Sequence, residues 1–188
     1  MVRPFLGGTS AERMITYQAA DGEKPVVTGS DVWKTDWKDE GGGVWSTPYE
    51  RHPWDHPEKW KSPFTGARYR CEQVFVDGAY LQQVDSKYAM KSPGTFFTAD
   101  DNKAGTLFIH PAGDGNPRQR LIERSMRQHC FYPAVKGLGY IHLRGINFRH
   151  SAAPEFSKDW GSIGMRAVVS VRYGNHWLIE DNVIEWGN

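Results

Sequence analysis

Apolar and polar positions along this 188-residue chain alternate with a period of two over short stretches, and no stretch keeps the i, i+3, i+4 spacing of an amphipathic helix beyond about one turn. The two brief helical candidates are 57–61 and 155–159. Alternating or β-branched runs occupy 14–18, 25–28, 73–77, 95–98, 106–110, 140–144, 146–150, 167–172 and 176–180, with Gly, Pro, Asp or Asn near most of their boundaries. The pattern predicts an all-β chain of short strands and tight turns.

Three of these segments resemble one another. Ile15-Thr16-Tyr17-Gln18-Ala19 leads through an Asp-Gly turn to Pro25-Val26-Val27; Ile141-His142-Leu143-Arg144-Gly145-Ile146-Asn147-Phe148 repeats that outline with a shorter turn; Trp177-Leu178-Ile179-Glu180-Asp181-Asn182-Val183-Ile184 repeats it again. Each joins two short strands at one corner, the outline of a β-solenoid coil. Alternation then points Ile141, Leu143, Trp177 and Ile179 inward and His142, Arg144, Leu178 and Glu180 outward. Stacking would set Arg144 beside Glu180 and Arg149 beside Glu185. Ile141 and Trp177 are 36 residues apart, whereas Ile15 and Ile141 are 126 apart, an excess of about 90. The division expected is therefore a first coil at 1–30, an inserted β-sandwich or barrel at 31–120, and further coils at 121–188. Trp33, Trp45, Phe75 and Phe96 are the candidate core of the insert.

Composition narrows the partners. Lys and Arg number 23 against 22 Asp and Glu, so no broad basic face is available for nucleic acid. No apolar run approaches the roughly 18 residues of a membrane span, and neither nucleic acid nor membrane is expected as a partner. The opening Met1-Val2-Arg3-Pro4-Phe5-Leu6-Gly7-Gly8 lacks the apolar core of a secretion signal. Cys71 and Cys130 are too few for a disulfide framework and have no metal-ligand spacing. Eight Trp, eight Tyr and nine Phe offer flat faces for packing or for stacking on sugar rings.

The segment Gly8-Thr9-Ser10-Ala11-Glu12-Arg13, with the first coil after it and with Glu72-Gln73-Val74-Phe75-Val76-Asp77-Gly78, Pro93-Gly94-Thr95-Phe96-Phe97, Tyr140 to His150 and His176 to Trp186, resembles bacterial right-handed parallel β-helix repeat proteins of the glycoside-hydrolase-like, β-xylosidase-type kind with an inserted domain. Met14 departs from the Pro usual at that point. The resemblance implies an incomplete parallel β-helix, an N-terminal fragment of a secreted or periplasmic parent, whose missing C-terminal coils would be its partner. It also implies a poly- or oligosaccharide substrate and a glycoside hydrolase or polysaccharide lyase.

Glycosidic cleavage uses two carboxyl groups about 5 to 10 Å apart, and stacked coils can supply them from outward positions. The acidic candidates are Glu180, Asp181 and Glu185, with Asp159 earlier; Arg149, His150 and Trp186 are the candidate substrate contacts. Asp181 before Asn182 also suits a turn, and both Glu suit a solvated ladder. The loop Arg51-His52-Pro53-Trp54-Asp55-His56-Pro57 carries two His and an Asp without a second ligand cluster, so no metal and no cofactor are expected. The alternative to an enzyme is a non-catalytic glycan-binding or surface-attachment module, or an inactive fragment.

Overall fold

The computed structural model describes residues 1–50, 52, 60–61, 68–69, 72–100, 104–152 and 167–187. The strands are β1 (Ile15–Gln18), β2 (Val26–Thr28), β3 (Ser30–Val32), β4 (Lys38–Gly41), β5 (Val44–Glu50), β6 (Trp60–Lys61), β7 (Arg68–Tyr69), β8 (Val74–Val76), β9 (Ala79–Tyr80), β10 (Gln82–Gln83), β11 (Thr95–Asp100), β12 (Ala104–His110), β13 (Ile122–Ser125), β14 (Ile141–Arg144), β15 (Asn147–Ser151), β16 (Leu178–Glu180) and β17 (Val183–Gly187). Short 3-10 turns at Lys87–Ala89, Ala112–Asp114 and Pro117–Gln119 complete the regular structure described. The fold is all-β. Among the described residues no helix is long and apolar enough to cross a membrane. Apart from β6, the expected helical turns at 57–61 and 155–159 lie outside the described residues, as do Cys71, Asp159 and all of the Arg51 to Pro57 loop except His52.

The chain divides into two compact units, Met1–Ser30 with Met126–Asn188, and Asp31–Ser125. In the first, β14 lies between β1 and β16 in a parallel sheet, with Ile15 opposite Ile141, Tyr17 opposite Leu143, and Leu143 opposite Ile179. A second parallel sheet sets β15 between β2 and β17, with Phe148 beside both Val27 and Ile184. Parallel bridges join Phe131 to Val2 and to Val169. The register expected for β1, β14 and β16 is the observed one. Run 167–172, expected as a strand, contributes only the Val169 bridge among these pairings.

The period-two pattern decides burial here. Ile141, Leu143 and Phe148 are fully buried and pack with Phe131, Cys130, Ile146 and Val168, while Tyr17, Val27 and Trp177 close over them. Phe131 meets Tyr17, Phe148 and Trp177 edge to face, at centroid distances of 5.2, 6.3 and 5.8 Å, an arrangement that adds to the burial of these rings. Two corners need special backbone. Gly145 turns the chain at φ 69, and a Cβ at Gly29 would lie 2.6 Å from the His150 carbonyl oxygen. Only a residue without a side chain fits that close approach.

The second unit is largely antiparallel. One sheet runs β10-β11-β12-β5-β4, mixed because β10 joins β11 in parallel; another runs β3-β13-β8-β9. Trp45, Tyr49, Phe96, Leu107 and Ile109 from the first sheet meet Val74, Val76 and Ile122 from the second in one apolar cluster, with Trp37 and Leu81. Of the four core candidates, Phe75 and Phe96 are fully buried, Trp45 nearly so, and Trp33 is partly buried against the cluster.

The resemblance to glycoside-hydrolase-like right-handed parallel β-helix repeat proteins is corrected by this architecture. The described strands are divided among five small sheets, none of them a solenoid, and the longest ladders are antiparallel. The reason is physical: alternation over three or four residues specifies a strand with one buried face, and says little about how many such strands stack around it.

Asn182 ties the turn between β16 and β17 to the turn between β14 and β15. Its Oδ1 accepts from the Ile146 backbone N–H at 2.9 Å and its Nδ2 donates to the Leu143 carbonyl at 2.9 Å. Asn182→Ala leaves both partly buried groups unmet and is expected to lower unfolding free energy by roughly 1 to 3 kcal/mol. Urea unfolding midpoints measure it; a loss under about 0.5 kcal/mol, the range of neutral surface changes, would show that the corner holds without the amide.

Candidate functional site

The outward positions of β14 and β16 gather the chemistry. Because Ile141 and Leu143 face inward, His142 and Arg144 face out, and the register places Arg144 directly beside Glu180. Neighbouring strands lie about 4.8 Å apart, close enough for side chains to meet across the ladder. His142 Nε2 is 3.0 Å from Glu180 Oε1, and Arg144 Nε is 3.7 Å from the same oxygen and 3.4 Å from Asp181 Oδ2. Asp181 holds a left-handed backbone, φ 55, at the turn into β17. Two carboxylates, a guanidinium and an imidazole thus share one solvent-facing patch. It offers donors and acceptors side by side, the chemistry that neutral hydroxyls recognise.

The other predicted residues are placed differently. Arg149 and Glu185 are register partners on β15 and β17, yet among the described residues no ion pair joins them, contrary to the expectation of a second charge pair. The Arg149 Nε is buried without a hydrogen-bond partner among the described residues. His150 does not face outward: two residues after Phe148 it shares the inward face of β15, where its Nδ1 lies 3.1 Å from Ser30 Oγ, which in turn lies 2.7 Å from Thr28 Oγ1. Trp186, at φ 50, is exposed. Glu180 and Asp181 are therefore brought together with Arg144, while Glu185 belongs to a different sheet.

His142 is the residue that the sequence left unassigned. Its signal was present, since an outward position two residues before Arg144 reaches Glu180 diagonally across a parallel pair. Cys130 is buried, with its Sγ donating to the Arg149 carbonyl at 3.1 Å; burial pushes its thiol up to about 11, far from the thiolate that reactivity needs. Among the described residues no group of three or more His, Cys, Asp or Glu is placed to hold a metal ion.

The second unit contains a buried charged group that no spacing rule would reveal. All four residues of β13 are buried, Glu123 and Arg124 included. Arg124 Nη2 donates to the Glu50 carbonyl at 2.7 Å and lies 3.5 Å from Glu72 Oε1, while the guanidinium sits 5.0 Å from the Tyr49 ring centre and 5.4 Å from that of Trp33. His52 is buried nearby; burial first, and the Arg124 charge second, lower its pKa to about 4. This group is held by aromatic faces and backbone, as a structural arginine is.

No protein-family model matches the chain, and no curated protein matches it. A solved structure described as the complex structure of XylC with xylose is similar, with a TM-score of 0.77 and 22% sequence identity, covering 97% of this chain and 33% of that chain. At that identity the likeness shows the fold alone, and this chain spans about a third of the other's length. It takes the place of the family resemblance drawn from the sequence.

Two measurements test this description. In a double-mutant cycle, Arg144→Ala and Glu180→Ala should couple by about 0.2 to 1 kcal/mol, the range for exposed pairs, and the coupling should shrink in high salt; strictly additive effects would show that the contact contributes nothing. For His52 the folded pKa lies below the unfolded value, so the unfolded chain takes up the proton first as pH falls. The stability conferred by neutral His52 is complete above about pH 6.5 and is lost towards pH 4, on the order of 2 to 3 kcal/mol. Denaturation at pH 7 and pH 4.5 should show this loss in the native chain and a smaller one in His52→Gln; equal losses would remove His52 as the cause.

Proposed function

We propose that the chain is part of a carbohydrate-active protein and meets a neutral oligosaccharide on the face formed by His142, Arg144, Glu180 and Asp181. The observation that supports this most is the structural likeness, over 97% of the chain, to a protein solved in complex with xylose. The patch adds chemical sense. Carboxylate oxygens accept from sugar hydroxyls and the guanidinium donates to ring and hydroxyl oxygens. The fold that accompanies it is all-β, with two small parallel sheets in the first unit and Asp31–Ser125 taken as an inserted β unit.

The parent reaction that suits this reading is glycoside hydrolysis, with Glu180, Asp181 and Glu185 as candidate carboxylates and Arg149 and Trp186 as flanking contacts. Binding is favoured over turnover for the chain itself. Glu180 is engaged with His142 and Arg144, His150 is inside, and an acid and base set across a scissile bond is not assembled among the described residues. The other reading, a glycan-binding module, shares the same face and differs in lacking any catalytic partner.

Titration of isotope-labelled chain with xylose and xylo-oligosaccharides, followed by amide chemical shifts, tests the proposal. Shifts are expected in Ile141–Arg144 and Leu178–Glu180, weakened about tenfold by Glu180→Gln through loss of a hydrogen bond to a charged group. No release of sugar from xylan-type, arabinan-type or pectic substrates is expected. Shifts confined to other strands, or none at millimolar sugar, would sink the assignment; hydrolysis abolished by Glu180→Gln or Glu185→Gln would make those residues catalysts.

A further inference from the structure

We infer that the saccharide face continues onto β1, where Thr16 and Gln18 hold the sugar unit next to the one met by His142 and Arg144. Its occupant is then an oligosaccharide laid across the strands, not a single sugar. The inference rests on the reading of that face as a saccharide contact. β1 pairs with β14 so that Thr16 stands beside His142 and Gln18 beside Arg144. The alternation along β1 leaves Thr16 and Gln18 exposed while Ile15 and Tyr17 are partly buried. Outward side chains project from the face of a sheet, so their access does not depend on which strand lies at its edge.

Strand spacing matches the sheet to a sugar chain. Outward residues two apart on one strand are separated by about 6.6 Å, and neighbouring strands by about 4.8 Å. Two outward residues therefore bracket one pyranose ring, and the next strand meets the next ring. His142 with Arg144 forms one such pair and Thr16 with Gln18 the next. The groups on this side are uncommitted. Among the described residues neither the Thr16 hydroxyl nor the Gln18 amide has a hydrogen-bond partner, and Arg144 meets Glu180 and Asp181 through its Nε, which leaves its two terminal nitrogens for a ligand. On the other side of β14, Glu180 is already engaged by His142 and Arg144. Thr16 and Gln18 also carry no charge. A hydroxyl offers a donor and two acceptor sites, and an amide two donors and a carbonyl, a set that meets neutral sugar hydroxyls without the cost of stripping water from an ion.

Titration of the isotope-labelled full chain with xylose and with xylobiose separates the inference from the reading beneath it. Xylobiose is expected to bind about five- to tenfold more tightly than xylose, the range of one further hydrogen-bonded contact. It should also move the side-chain amide signal of Gln18, which a relay through the β1–β14 backbone would leave in place. Gln18→Ala lies at an exposed position, where circular dichroism should report an unchanged fold. It should cut the preference for xylobiose to about twofold or less, and Thr16→Val should cut it part of the way. Shifts on β14 and β16 with an unmoved Gln18 side chain, or a preference that survives Gln18→Ala, would overturn the inference and leave the saccharide reading of the face standing. Equal affinity for the two sugars would do the same. Absence of shifts with either sugar would remove that reading and the inference with it.

Discussion

The first unit depends on one constraint, the parallel register of β14 and β15 against the strands on either side. Side chains on a strand alternate faces, so the register that stacks Leu143 on Tyr17 and Ile179 also fixes every outward position. A slip of β14 by one residue would turn His142 and Arg144 into the core and Leu143 out of it. The cost of burying two ionisable groups without partners far exceeds any gain at the surface. The outward polar patch and the apolar core are thus two consequences of one alignment. Asn182, bonding to both Leu143 and Ile146, locks that alignment at the corner where it would otherwise be softest.

The second unit solves a different problem. Its antiparallel pair β11–β12 joins near neighbours in sequence, β5 adds to β12 from much earlier in the chain, and the apolar cluster joins this sheet to the β3-β13-β8-β9 sheet. Arg124 stands at the margin of that cluster. A lone guanidinium there would be expensive; the Glu50 carbonyl, Glu72 and the faces of Tyr49 and Trp33 together offset its lost hydration. The same burial keeps His52 neutral at ordinary pH.

How much of this was legible in the sequence depends on how local its cause is. The alternation in Ile141-His142-Leu143-Arg144 and its echo in Trp177-Leu178-Ile179-Glu180 is local, and it yielded strand, register and outward set together. β13 was missed because Ile122-Glu123-Arg124-Ser125 is buried throughout; two charged residues in sequence read as surface until their distant partners are known. The 167–172 run has β-branched residues in plenty, but strand formation needs a partner along its length, and only Val169 finds one, at Phe131. His150 lies two residues after the buried Phe148, on the same inward face of β15, so the alternation itself spoke against reading it as a substrate contact. The family resemblance failed for a related reason: short strand motifs recur wherever parallel strands stack, so matching them identifies a way of packing more securely than a lineage.

The patch on β14 and β16 owes its form to that same packing logic, and this bears on what it can do. Charged residues at outward ladder positions are a ready means of keeping a short parallel sheet soluble, and Arg144 beside Glu180 meets that need without any ligand. His142 adds something the ladder does not require. A solvated sheet is served as well by Thr or Gln at that position, as Thr16 and Gln18 show on β1. An imidazole 3.0 Å from a carboxylate that also faces a guanidinium restrains the Glu180 head group. Preorganised acceptors of that kind lower the ordering cost of binding a polar ligand. On the reading proposed for this face, His142 is the residue that holds Glu180 in place for a polar ligand.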